Sequence, residues 1–285
     1  MRGNRHSRSS GRRRPARGRW LLLTALAGAG VLLWGGQPTW LGAYDGARPS
    51  ADHGSERPAP ASEAPLRSVL GLGDSVPAAT GCSCPSFVVQ LGQGLAQSEG
   101  TSVAVDNEAV SGLTSAGLLQ QVRQRAGQPR ADRLTVITIG ANDFDASKLS
   151  TPGCRAGDGL SCYQAALASM GTRVDAILAA LTGGPAPHGP ILVTGYWNVF
   201  LDGAVGAARG GAYTRDSDAL TRAVNALLQS VAGRHAVTYV DLYGPFKMTG
   251  DADDTTLLAP DGDHPSAAGH ALIASVLRRA LLPPI

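Results

Sequence analysis

Aromatic residues are scarce in this chain: four Trp, six Tyr and four Phe make up 5% of 285 residues. That shortage argues against a core built on stacked rings. The 37 glycines and abundant alanines instead favour helices packed closely on a sheet. Acidic residues are absent before Asp45, whereas eight arginines fall within Met1–Arg19. Without those eight, 17 basic residues stand against 22 acidic ones, a net charge of −5. The formal +3 therefore belongs to the tail, which excludes reading a nucleic-acid-binding surface from the overall charge. No internal repeat is present and nothing marks a second folded domain. With 43% hydrophobic residues, the chain is able to bury a sizeable core.

Charge is also missing from Trp20 to Leu41, a run of 22 residues directly after the arginines. A basic segment followed by an apolar one is the pattern of an export signal. Its length approaches the roughly 20 residues that span a bilayer. Trp20, Trp34 and Trp40 are candidate interfacial anchors. Leu41-Gly42-Ala43 is a poor cleavage site, so the expectation is an uncleaved membrane anchor with the C-terminal bulk outside. A cleaved signal peptide is the alternative. The expected organisation is a basic tail over 1–19, an apolar segment over 20–41, a linker rich in Ala, Pro, Ser and Gly over 42–66, and one folded domain over 67–285.

Four cysteines fit that export. Cys82 and Cys84 lie close together, as do Cys154 and Cys162, and an even count in an exported chain predicts disulfides. A Cys82–Cys84 bridge would close a very tight ring, so cross-pairing between the two loops is expected. The spacing is not a familiar zinc-ligand pattern, and no metal is expected.

From Arg67 onward, short apolar runs alternate with longer amphipathic segments. Ser68–Leu72, Ser102–Val105, Leu134–Ile139, Ile191–Thr194 and Val237–Leu242 are predicted strands. Phe87–Gln97, Leu118–Arg125, Tyr163–Leu181, Ser217–Ala232 and Ser266–Leu282 are predicted helices. Strands separated by helices imply an α/β fold: a three-layer α/β/α sandwich around a mostly parallel five-stranded sheet. Sites in such folds gather at the carboxyl ends of strands, where Ser75 and Asn142 fall.

Gly73-Asp74-Ser75 closes the first strand, and Asp261-Gly262-Asp263-His264-Pro265 appears some 190 residues later. A serine hydroxyl holds its proton at neutral pH. It needs an imidazole within reach, and the imidazole needs a carboxylate to fix its tautomer. Ser75, His264 and Asp261 supply these three groups, with Asp263 a competitor for Asp261's place. Between them, Asn107–Gly112 follows the second strand and Gly140-Ala141-Asn142-Asp143 the third.

With these four blocks in order, the chain resembles the SGNH, or GDSL-type, hydrolases over roughly Arg67 to the C-terminus. Val76 departs from the leucine of the G-D-S-L form, a conservative apolar change. The resemblance implies a flavodoxin-like fold and a carboxylic ester hydrolase that needs no cofactor. It implies Ser75 as nucleophile, His264 as general base and acid, and Asp261 as its orienter. The N–H groups of Ser75 and Gly112 and the Asn142 amide would form the oxyanion hole. Gly112 is expected to let the backbone approach substrate with no Cβ in the way, and Pro265 to start the last helix.

Other features receive plainer readings. Asp74 is expected to hold the serine loop through backbone hydrogen bonds. The run Asp251–Asp254 lacks the glycine and distal Glu of an EF-hand and is expected to be a solvated loop. Tyr196, Trp197 and Phe200 are expected to line the pocket or fill the core. His6, His53, His188, His235 and His270 are expected at the surface or in packing. The functional expectation is an extracytoplasmic, monomeric serine esterase acting on a small-molecule, glycan or lipid ester. A cell-envelope glycan acyltransferase or deacetylase, or a catalytically silent membrane-tethered binding module, are the alternatives.

Overall fold

The computed structural model describes residues 65–125, 131–183 and 188–282. The expected basic tail, the apolar segment and nearly all of the linker therefore lie outside the described residues, as do His6 and His53.

Five parallel strands form one sheet in the order β2-β1-β3-β4-β5. They are β1 (Ser68–Gly73), β2 (Ala104–Asn107), β3 (Arg133–Thr138), β4 (Ile191–Thr194) and β5 (Thr238–Val240). Each overlaps the apolar run that predicts it. Every residue of β1 and β4 is buried, as is all of β3 except Arg133. This is the pattern of strands covered on both faces. Each fully buried Leu or Ile in these strands contributes about 1.5–3 kcal/mol. The edge strand β2 is exposed throughout.

Among the described residues seven α-helices flank the strands: α1 (Phe87–Glu99), α2 (Ser115–Gln124), α3 (Gln164–Thr182), α4 (Gly203–Arg209) and α5 (Gly211–Arg234) between strands, and α6 (Tyr243–Lys247) and α7 (Ala267–Ala280) after β5. Parallel crossovers are right-handed. The chain steps outward from β1 to β2 and then back past β1 to β3, so α1 and α2 fall on opposite faces. Accordingly α1 packs with α7, while α2 packs with α3 and α3 with α5. The reversal of direction lies between β1 and β3, the position where sites form in such sheets.

Two helices were not legible in the apolar pattern. α4 reads GAVGAAR and α6 reads YGPFK, each with glycine or proline inside and no apolar stripe. The start of α7 also differs from expectation. Ser266 is its cap, with Oγ accepting the Gly269 N–H at 3.2 Å, and Pro265 lies one residue earlier. Pro265 instead bridges antiparallel to Leu258.

Candidate active site

The chain leaves β1 through a turn built on Asp74. Its N–H donates to the Thr138 carbonyl at 3.0 Å, and its Oδ1 accepts the Val76 N–H at 3.0 Å. Its Oδ2 accepts the Tyr196 hydroxyl at 2.5 Å. The Tyr196 oxygen in turn accepts the Ala141 N–H at 3.4 Å, tying the turn after β1 to the turn after β3. Burial pushes the Asp74 carboxyl up to about 6, against the lowering effect of the Tyr196 and Val76 hydrogen bonds. Burial likewise pushes the Tyr196 hydroxyl well above its ordinary value. Asp74 thus holds the loop, as expected, and fixes Ser75, which is half-buried.

Gly112 lies in the turn after β2 with φ +78°. A Cβ built there meets nothing within 4 Å. The left-handed backbone gives a reason for glycine of its own, and the open space beside it is compatible with the expected approach of substrate. The N–H groups of Ser75 and Gly112 have no acceptor among the described residues. Asn142 stands on the 3-10 turn Ala141–Asp143 after β3, and its Nδ2 donates to the Leu113 carbonyl at 3.1 Å. That bond orients the amide toward the Gly112 loop and leaves its second N–H free. The neighbouring Asp143 accepts the Ser115 N–H at 2.9 Å and the Ser115 hydroxyl at 2.6 Å, and pairs with Arg173 at 3.2 Å. It docks the β3 turn onto α2.

Asp261 and His264 occupy a short hairpin-like loop closed by Ala259 N–H to His264 C=O at 2.7 Å and Ser266 N–H to Leu257 C=O at 2.8 Å. Asp261 Oδ1 accepts the His264 N–H at 3.2 Å, while its Oδ2 lies 2.8 Å from His264 Nδ1 in hydrogen-bonding geometry. Asp263 Oδ1 is equally close to Nδ1, at 2.8 Å, but off the hydrogen-bond direction. Asp261 is thus the hydrogen-bond partner and Asp263 a second carboxylate beside the ring. The Asp263 contact, joined by Asp261, raises the His264 imidazole to about 9 against the opposing effect of burial. Burial pushes the Asp261 carboxyl up, but the hydrogen bonds from His264 and Asp263 prevail and hold it below its usual value.

Ser75, Gly112, Asn142 and His264 line one cleft of about 680 Å³. Its apolar wall is made of Phe144, Leu149, Val199 and Phe200. Asp261 stands behind His264, outside the lining. No hydrogen bond joins the Ser75 hydroxyl to His264 among the described residues; such bonds commonly tighten only when substrate is bound.

The aromatic expectations divide. Tyr196 and Trp197 are fully buried, Trp197 stacking on Phe246 with centroids 4.5 Å apart, whereas Phe200 reaches the cleft. The acidic run is also divided. Asp251 and Asp253 hold local turns, but Asp254 is buried, which corrects the expectation of a solvated loop. It lies 3.8 Å from Lys247 Nζ, which donates to Asp202 Oδ1 at 2.8 Å. Lys247, Asp202 and Asp254 were missed as a group because their 202–254 separation leaves no sequence pattern. Asp202 matters to the site, since its N–H donates to the Gly262 carbonyl at 2.7 Å inside the Asp261–His264 loop.

The expected cross-pairing of cysteines is corrected. The bridges are Cys82–Cys84 and Cys154–Cys162, with Cα separations of 5.2 and 5.1 Å. A bend at Ser83 and Cys84 folds the chain so that the first pair lies within disulfide range. The second loop closes on itself through Cys162 N–H to Gly153 C=O at 2.9 Å, so its cysteines meet each other. None of the four cysteines lines the cleft, although Gly81 packs against Asp261 and His264.

Among the described residues, two groups bring three metal-capable donors within 4.8 Å: Asp261, Asp263 and His264, and Cys82, Cys84 and His270. In the first, His264 Nδ1 already faces both carboxylates. In the second, both sulfurs are spent in a disulfide, and the buried His270 accepts the Phe87 N–H on Nδ1 at 3.3 Å. His270 is a packing residue. His235, at the edge of the packed helices, has a carboxylate partner, with Nε2 at 3.1 Å from Asp175.

A parallel sheet covered by helices on both faces thus carries Ser75, Gly112 and Asn142 beyond the carboxyl ends of its strands, with His264 on the same cleft, and the family match gives the class: carboxylic ester hydrolases. The chain belongs to the GDSL-like lipase/acylhydrolase family, whose match covers residues 72–272. Among solved structures it is similar to phospholipase A1 from Streptomyces albidoflavus NA297, at 21% identity and TM-score 0.57, covering 75% of this chain and 99% of that one. It is also similar to an acetylxylan esterase from Geobacillus stearothermophilus, in a catalytic mutant, at 17% identity and TM-score 0.54, covering 75% and 93%. An extracellular lipase from Streptomyces rimosus matches at 22% identity and TM-score 0.51, covering 75% and 100%. A search of curated proteins finds no match.

Proposed function

We propose that this ester hydrolase works outside the cytoplasm through a Ser75–His264–Asp261 triad and an acyl-enzyme intermediate. The observation that carries the reading is the convergence of Ser75, Gly112, Asn142 and His264 on one cleft, with Asp261 hydrogen-bonded to His264 Nδ1 at 2.8 Å. With Nδ1–H committed to Asp261, His264 Nε2 is left to take the Ser75 proton. Ser75 Oγ then attacks the ester carbonyl. The free N–H groups of Ser75 and Gly112 and the second Asn142 N–H stabilise the oxyanion, a donor of this kind contributing about 3–4 kcal/mol. The imidazolium protonates the departing alcohol. Water, deprotonated by His264, then attacks the acyl-enzyme, and Ser75 recovers its proton as the acid leaves.

Two disulfides within the domain and the likeness to an extracellular lipase support the extracytoplasmic assignment. Whether residues 20–41 tether the domain is a question for membrane fractionation of the full chain. Solubility without detergent would exclude an anchor. The chemistry is tested by turnover of short-chain nitrophenyl esters. Ser75→Ala should cost at least about a thousandfold in kcat while leaving the circular dichroism spectrum unchanged. Full activity in that variant contradicts the mechanism.

A further inference from the structure

Arg209 ends α4 and lines the same cleft as Ser75 and His264. Its guanidinium carbon lies 5.4 Å from the centre of the Tyr213 ring. Tyr213 also lines the cleft and donates its hydroxyl to the Phe200 carbonyl at 3.1 Å, which fixes the ring as a platform. Stacking of this kind occupies one face of a guanidinium and leaves its edge N–H donors available.

Arg173, Arg222 and Arg234 each have a carboxylate partner. Arg209 has neither a carboxylate nor a hydrogen-bond acceptor among the described residues. The other charged residues lining the cleft, Asp263 and His264, face each other at 2.8 Å and offset one another when the imidazole is protonated. The cleft therefore combines a hydrocarbon wall at Phe144, Leu149, Val199 and Phe200 with one unpaired planar cation. The wall suits an acyl chain. A rigid fork of N–H donors suits two oxygens of a phosphate.

We propose that Arg209, held on Tyr213, is a subsite for a phosphate on the alcohol side of the substrate, so that the preferred substrates are phosphate-bearing acyl esters. This rests on the esterase reading given above. Tyr213 is a positioning residue and Arg209 the specificity-determining one. The phosphate is supplied either by a lipid headgroup in a membrane or by a soluble phosphate ester.

The test compares kcat/KM for dihexanoylglycerol 3-phosphate and dihexanoylglycerol, both as monomers, in the wild type and in Arg209→Gln. The pair differs only by the phosphate. The ratio of phosphate-bearing to neutral ester should fall about tenfold in R209Q, the size expected for one charge-assisted pair. Rising salt should reduce the wild-type ratio but not that of the variant. An equal ratio in both proteins overturns the inference while leaving the esterase reading intact. Failure of the wild type to cleave either ester, while it turns over short-chain nitrophenyl esters, overturns the inference alone; failure on the nitrophenyl esters as well overturns both. Vesicles of phosphatidylglycerol form the second arm. A defect of R209Q on vesicles with none on monomers would mean that Arg209 senses a charged surface, which also overturns the subsite.

Discussion

Tyr196 gives its hydroxyl hydrogen to Asp74 at 2.5 Å, although both side chains are fully buried. This one bond joins the turn that carries Ser75 to the turn that carries Asn142, because the same oxygen accepts the Ala141 N–H. The Asp74 carboxyl sits at about 6 against 3.8 for the ordinary group, because burial disfavours its charge. A raised carboxyl binds its proton more tightly in the folded state than in the unfolded one. Its contribution to stability is therefore present below about pH 4 and lost as pH climbs towards 6. Asparagine at this position has no such dependence. Asp74→Asn should gain on the wild type by about 2 kcal/mol in unfolding free energy between pH 4 and pH 7. Urea titrations at the two pH values measure the difference, and a constant gap would show that Asp74 titrates normally.

His264 is raised to about 9 by Asp263 and Asp261, and only its neutral form acts as a base. The kcat/KM for a neutral ester should climb with pH through a midpoint well above 6.5. Asp263→Asn removes the carboxylate that contributes most, so the midpoint should move to lower pH. An unmoved midpoint in D263N would show that Asp261 alone sets the imidazole.

Much of this was readable from residue order. The apolar runs picked out β1, β3 and β4 because strands covered on both faces carry nearly unbroken apolar sequence, whereas the exposed β2 and half-covered β5 only overlap the runs that point to them. The four motif blocks picked out Ser75, Gly112, Asn142, Asp261 and His264, and the fold brings Ser75, Gly112, Asn142 and His264 to one cleft, with Asp261 behind His264. Long-range pairings were invisible. Nothing in the sequence links Tyr196 to Asp74 or Lys247 to Asp202, since neither pair has a local spacing. The cysteine pairing differs from expectation because the ring-size argument leaves out the bend at Ser83–Cys84 and the loop closed at Gly153–Cys162. α4 and α6 escaped because burial there follows from tertiary packing and not from periodicity.

Lys247 is buried with Asp202 and Asp254, and Asp202 holds the loop of His264 through Gly262. Lys247→Met leaves two buried carboxyl groups without their cation. Breaking such a pair typically costs about 3–5 kcal/mol. Denaturant unfolding should show a loss of this size, and adding Asp254→Asn should restore part of it. A variant as stable as the wild type would mean that the cluster is not held by its charge.

Both disulfides close local loops, so each should contribute modestly and independently. Peptide mapping without reductant should recover Cys82–Cys84 within one peptide and Cys154 linked to Cys162. Recovery of a peptide joining Cys82 or Cys84 to Cys154 or Cys162 would contradict the pairing.

The most direct measurement is covalent labelling by a fluorophosphonate, which reacts only with a serine activated as a nucleophile, followed by peptide sequencing. One label per chain should appear, on Ser75, and His264→Ala should slow its attachment by at least about a hundredfold. Absence of labelling in the folded wild type, or a label on any other serine, would contradict the proposed triad.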